Sequence, residues 1–105
     1  MRHWTPKELK HSLEASEGPL MVDVREPWEH EICRIDGARL IPMGQIPALA
    51  GRLDPDQTIV VVCHHGVRSY QVAYYLERLG FRDVINLTGG IDAWAREVDR
   101  DMAVY

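Results

Sequence analysis

The sequence predicts an α/β fold, a parallel sheet with helices on both faces, and three observations carry that prediction. Thr58-Ile59-Val60-Val61-Val62 is a continuous β-branched run, the pattern of a central strand buried on both faces. Directly after it, Val67, Val72, Ala73, Leu76 and Leu79 mark one face of a helix. Short apolar runs alternate with such stretches along the chain, as strand-helix-strand units require.

Each element follows from local signals. Thr5-Pro6-Lys7-Glu8 combines a capping-box pattern with proline at the first helical position, so a helix is expected over 6–15, its Leu9/Leu13 stripe reaching towards Ser16. Gly18-Pro19 ends it, and Leu20-Met21-Val22-Asp23-Val24 reads as a buried strand running into Arg25-Glu26 and a Pro27 turn. Trp28 to Ile32 suits one helical turn, Ala38 to Ile41 a short strand, and Gln45 to Leu53 a helix bounded by Pro42 and Asp54-Pro55. The helix after the central strand is expected from about Arg68 to Leu79, with Gly80 as its stop. Asp83 to Leu87 is a further strand, and Gly89-Gly90 turns the chain into a last helix near Ile91–Val98. The polar tail from Asp99 to Tyr105 is expected to fray or to wrap the surface.

Composition narrows the function classes. A chain of 105 residues suits one domain with one core. A net charge of −4 with scattered Lys and Arg disfavours nucleic-acid binding. No apolar stretch approaches the ~18 residues that span a membrane, and the start lacks a signal-peptide core, so the expected location is cytoplasmic. In a reducing compartment Cys33 and Cys63 are expected as free thiols.

Cys63 ends the central strand and opens Cys63-His64-His65-Gly66-Val67-Arg68-Ser69, which leads straight into a helix. Loop N–H groups and the positive end of the following helix concentrate positive potential there, which favours a thiolate and an anion delivered to it. Taken alone, a strand-end cysteine is more often a small buried hydrophobe than a nucleophile. The Gly, Arg, Ser and helix that follow reverse that balance.

This strand, loop and helix resemble the active-site segment of the rhodanese-type sulfurtransferases. Asp23-Val24-Arg25-Glu26, Ile35-Asp36-Gly37-Ala38 with Ile41-Pro42, and Gly89-Gly90-Ile91-Asp92-Ala93-Trp94 resemble three further blocks of that family, in the family's order, over residues 4 to 97. The resemblance implies a three-layer α/β/α sandwich with a five-stranded parallel sheet, its short extra strand near His3-Trp4. It implies that Cys63 attacks the outer sulfur of thiosulfate or a persulfide and carries it as a persulfide to a thiol or cyanide. His64, His65, Gly66, Val67, Arg68 and Ser69 then bind the substrate, their amides turned inward, while Asp23 and Arg25 brace the loop. No cofactor is implied. The partners are a small anionic sulfur donor and a thiol or cyanide acceptor, with a sulfur-accepting protein as a further candidate, acting on a monomer or weak homodimer.

Several roles stay open. Ser69 either donates to the site or caps the helix. Arg68 either contacts a bound anion or pairs with Asp23 or Glu26. His64 and His65 lack the spacing of a zinc site, and no second ligand cluster is visible, so no metal is expected. Cys33-Arg34-Ile35 stands where the family commonly has Gly-His-Ile, so Cys33 is either an idle thiol or a resolving one, and Arg34 adds a positive charge. Trp94 is expected to pack the last helix on the sheet. Two rival readings are a partner-docked sulfur-relay or redox-sensing module, and a cysteine phosphatase or arsenate reductase. Phosphatases of this fold place five residues between Cys and Arg. Here only four intervene, a smaller ring that suits sulfur better than phosphate.

Overall fold

Strand order β1-β5-β4-β2-β3, with every pairing parallel, sets where chemistry can gather. The strands are β1 (Arg2–Trp4), β2 (Leu20–Asp23), β3 (Arg39–Leu40), β4 (Ile59–Val62) and β5 (Val84–Leu87). From β2 the chain steps outward to β3, and from β4 it steps outward the other way to β5. The carboxyl ends of β2 and β4 therefore flank the switch point, the crevice where open parallel sheets take their ligands. The computed structural model describes residues 1–15 and 17–105.

The helices are α1 (Pro6–Leu13), α2 (Pro27–Ile32), α3 (Ile46–Leu49), α4 (Val67–Arg78) and α5 (Gly90–Glu97). Thr5 and Glu8 form the expected capping box on α1, which stops two residues before the expected end; Ser16 lies outside the described residues. The expected helix over Gln45–Leu53 is broken into a 3-10 turn at Met43–Gln45, α3, and a second 3-10 turn at Ala50–Arg52. Pro47 inside the first turn of α3 supplies no N–H, and Gly44 and Gly51 flank the break.

Side chains of β4 alternate between two cores. Ile59, Val61 and Cys63 face a cluster with Val22, Val24, Val72 and Leu76. Val60 and Val62 face the other, with Leu9, Ile85, Ile91 and Trp94. Burial on both faces is what the continuous β-branched run required.

The apolar face of α4 differs from the expected one. Val72, Ala73 and Leu76 are buried, but Val67 is 68% exposed and Leu79 51%. Val67 lies about 200° around the helix from Ser69, which shares the core-facing side. Leu79 yields its place to Phe81: Gly80 takes φ +101°, and the Phe81 N–H bonds back to the Leu76 carbonyl at 3.1 Å. The chain thus folds Phe81 into the core.

Candidate active site

Cys63 sits where β4 ends, its side chain on the α4 face and only 1% exposed. Polar groups surround the buried sulfur. The Gly66 N–H donates to Sγ at 3.0 Å, and the thiol lies 3.2 Å from the Ser69 hydroxyl oxygen, which accepts from it. Ser69, fully buried, donates in turn to Asn86 Oδ1 at 2.5 Å. Among the described residues, Gly66 supplies the one amide within bonding reach of Sγ, where the whole loop was expected to turn inward. The N–H groups of His64, His65, Val67, Arg68 and Ser69 nevertheless have no protein acceptor among the described residues. Three of them are the orphan donors that open any helix, here α4.

The loop's shape rests on two glycines. Gly66 holds φ +100° as the N-cap of α4, a torsion that side chains rarely adopt. Gly90 lies so close that a Cβ there would fall 2.5 Å from the carbonyls of Cys63 and His64. That approach lets α5 donate its first free amides to the loop: Ile91 N–H to the Cys63 oxygen at 2.8 Å, Asp92 N–H to the His64 oxygen at 3.0 Å. The Gly89-Gly90 pair, read from sequence as a turn, thereby also clamps the thiol loop. Trp94 packs as expected, 7% exposed in the core beneath α5.

Arg68 pairs with neither Asp23 nor Glu26. Its two terminal nitrogens donate to the two oxygens of Glu29, at 2.7 and 2.8 Å. Sequence reasoning missed Glu29, which is 3% exposed and also accepts from the Glu26 N–H and from the Tyr105 hydroxyl. The Arg68 hydrogen bonds hold its carboxyl down to about 2 against the opposing pull of burial. The pattern Glu26-Pro27-x-Glu29, a helix start with a glutamate at its third position, was the available signal.

Asp23 and Arg25 form a second buried pair. The Arg25 guanidinium, 0% exposed, spans both Asp23 oxygens and reaches the carbonyls of Glu29 and Cys33 and the Tyr105 hydroxyl. Burial works against its charge, and the bonds to Asp23 and Tyr105 outweigh it, so its pKa is raised. The pair holds α2 and the Cys33 turn directly. Among the described residues, its hydrogen bonds reach the thiol loop through Glu29 and Tyr105.

His64 is half-buried, its ring 3.8 Å from that of Tyr105 and nearly parallel to it. Burial, then the field of His65, lowers its pKa. His65 is exposed, its ring 3.9 Å from that of His64. One donor atom from each of His64, His65 and Asp92 lies within 4.8 Å of the others, a grouping that the spacing of the histidines alone did not reveal. Two of the three residues already have protein partners: His64 Nε2 meets the Tyr105 main-chain oxygen, and both Asp92 oxygens meet Arg96. Cys33 packs in the opposite core from Cys63, on the other face of the sheet, and both thiols are free. Arg34 is exposed and donates to the His30 carbonyl.

A family model described as the rhodanese-like domain matches residues 5–97. The chain belongs to that family. The chain is 41% identical over 103 residues to the "Probable adenylyltransferase/sulfurtransferase MoeZ" of Mycobacterium tuberculosis, covering 96% of this chain and 26% of that protein. The chain thus spans about a quarter of that relative's length. A "Sulfurtransferase" of Allochromatium vinosum is 40% identical over 90 residues, covering 86% of this chain and 84% of the relative. Among solved structures, the rhodanese-like domain protein of Staphylococcus aureus superposes with a TM-score of 0.86 at 36% identity, covering 100% of this chain and 99% of its own. The five-stranded sheet with its helical layers is therefore the rhodanese fold. No helix is long and apolar enough to cross a membrane among the described residues.

Proposed function

We propose that this rhodanese-like domain is a sulfurtransferase that moves a sulfane sulfur through a persulfide on Cys63. The observation that carries the reading is the polar setting of a buried thiol: Gly66 N–H on Sγ, the Ser69 hydroxyl beside it, and five further loop amides that have no protein acceptor among the described residues. Such donors stabilise a sulfur anion without a metal or a fixed cation. Relatives named sulfurtransferase and thiosulfate sulfurtransferase support the same chemistry.

In the first half-reaction the Cys63 thiolate attacks the outer sulfur of thiosulfate. The S–S bond of thiosulfate breaks, sulfite leaves with the electron pair, and Cys63 holds the sulfur as a persulfide. In the second, an acceptor thiolate or cyanide attacks the terminal sulfur and Cys63 departs as thiolate. Both steps are two-electron displacements at sulfur, so ping-pong kinetics follow. Arg68 is held by Glu29, so anion binding falls to amides more than to a free guanidinium.

A relay role, in which a protein persulfide delivers or receives the sulfur, has its own support. Val67 and Trp28, 68% and 60% exposed, offer apolar contact beside the loop to a docking partner. Relatives named MoeZ and "Putative sulfur carrier protein YrkF" point the same way.

Intact-protein mass spectrometry after brief exposure to thiosulfate tests the carrier. A gain of one sulfur that persists in Cys33→Ser and vanishes in Cys63→Ser is expected. Sulfur retained in Cys63→Ser overturns the assignment. Transfer that is fast to a partner protein and slow to cyanide selects the relay role over free turnover.

A further inference from the structure

Tyr105 touches His64, Glu29, Arg25 and Trp28 around the thiol loop, and nothing in the proposed chemistry uses it. Its ring lies 3.8 Å from that of His64 with only 6° between the planes. Its main-chain oxygen accepts from His64 Nε2 at 2.8 Å. Its hydroxyl donates to Glu29 Oε2 at 2.7 Å and accepts from Arg25 at 3.0 Å. Trp28 meets the ring edge-on, with centroids 6.0 Å apart.

These contacts join the two ends of one loop. His64 directly follows Cys63, and Arg68, near the loop's far end, is held by the Glu29 carboxylate that Tyr105 also engages. His65 lies 3.9 Å from His64 with its ring tilted by 31°, so two rings with centroids under 4 Å away, Tyr105 nearly parallel and His65 tilted, must occupy opposite faces of the His64 imidazole. The Asp92 N–H holds the His64 carbonyl as well. A side chain fixed on both faces and at its edge has little freedom left, which is how reacting groups are kept in line.

We propose that Tyr105 is a positioning residue for the thiol loop, locking the His64 ring at the loop's start to the Glu29–Arg68 pair at its end so that both ends hold still while sulfur is loaded onto Cys63. The proposal rests on the sulfurtransferase reading for its kinetic consequence only. Its structural consequence is readable without turnover.

The groups facing His64 are His65, Tyr105, Glu29 and Asp92; burial, to which the stacked Tyr105 ring adds, lowers the imidazole pKa, while the Tyr105 main-chain oxygen, which both variants below retain, opposes it. Two variants separate the contacts. Tyr105→Phe removes the hydroxyl and keeps the stack; Tyr105→Ala removes both. On a Cys63→Ser background, histidine side-chain NMR of the full chain should show the His64 ring shifted downfield and its titration midpoint raised in Tyr105→Ala, while Tyr105→Phe keeps the parent signal. With Cys63 intact, kcat/KM for thiosulfate should fall about tenfold in Tyr105→Ala and less in Tyr105→Phe, at a temperature where both remain folded by circular dichroism. An unmoved His64 signal in Tyr105→Ala overturns the proposal, whatever the rate does. A moved signal with parent kinetics also overturns it, because the clamp then positions nothing that matters. Failure of the parent itself to take up sulfur instead sinks the sulfurtransferase reading and leaves the NMR arm to decide the clamp.

Discussion

The Glu29 carboxylate takes both terminal nitrogens of Arg68, at 2.7 and 2.8 Å, and so ties α2 to the helix that carries the thiol loop. Glu29 is nearly inaccessible, whereas the Arg68 side chain keeps a third of its exposure. The pair occupies the switch point between β2 and β4, where an unpaired cation would otherwise face any bound anion. Its consequence for stability follows from the carboxylate.

Acid should loosen the structure through Glu29. Its pKa falls from 4.5 to about 2 on folding, so ionised Glu29 favours the folded state above the unfolded value and ceases to as pH drops through the folded one. The contribution is roughly 3 kcal/mol at neutral pH, fading between pH 4.5 and about 2. Urea unfolding at pH 7 and near pH 3 measures it. Glu29→Gln should be less stable than the parent at pH 7, with the gap narrowing in acid; a constant gap contradicts the linkage.

Gly90→Ala should displace the thiol loop. The new methyl would lie 2.5 Å from the carbonyls of Cys63 and His64, backbone atoms that cannot rotate aside, and φ is +60° at that position. A loss of about 2 kcal/mol or more is expected, with sulfur uptake falling further than stability. Gly51→Ala, with nothing within 4 Å, is the control and should be close to neutral. Thermal melts and persulfide yield, measured together, distinguish loop displacement from general unfolding.

Which parts of this were legible beforehand depends on the range of the interaction. β4 and the helix start at Pro6 could be read because local sequence alone determines them: a β-branched run, a cap, a proline. β1 was reached only through family resemblance, since three residues that pair with β5 carry no periodicity of their own. Glu29 escaped because its partners, Arg68 and Tyr105, lie 39 and 76 residues away. Phe81 displaced Leu79 for a reason visible only once Gly80 had turned the chain. The thiol loop itself was conspicuous because one short segment brings cysteine, glycine and helix start together, whereas its clamps arrive from α2, α5 and Tyr105.

Asp23→Asn should damage the fold more than it damages the chemistry. It leaves the Arg25 guanidinium, with no exposure at all, short of its carboxylate partner. Removing one member of a buried pair costs about 3–5 kcal/mol. Asp23→Asn and Arg25→Met together should recover part of that loss, since neither position then leaves an unpaired buried charge. Chemical denaturation of the two singles and the double gives the coupling directly, and additive losses would contradict it.

Ser69→Ala should slow sulfur loading specifically. In the thiol state the Ser69 oxygen accepts the Cys63 proton while its own proton goes to Asn86 Oδ1 at 2.5 Å. Ionisation of the thiol removes the first of these bonds, and the hydroxyl must then turn towards sulfur to stabilise the anion, giving up Asn86. A hydrogen bond to a charged partner contributes about 1.5–3 kcal/mol and the Asn86 bond given up costs about 1 kcal/mol, so losing the hydroxyl should slow persulfide formation roughly twofold to thirtyfold. Stability should fall as well, because Asn86 Oδ1 is left without its buried donor. Ser69→Thr keeps a hydroxyl and should retain more of the rate than Ser69→Ala wherever the added methyl is tolerated. Rapid-quench mass spectrometry reads the loading step alone. If alanine loads sulfur as fast as serine, the thiolate is held by amides without help from this side chain, and the Gly66 N–H becomes the contact to test next.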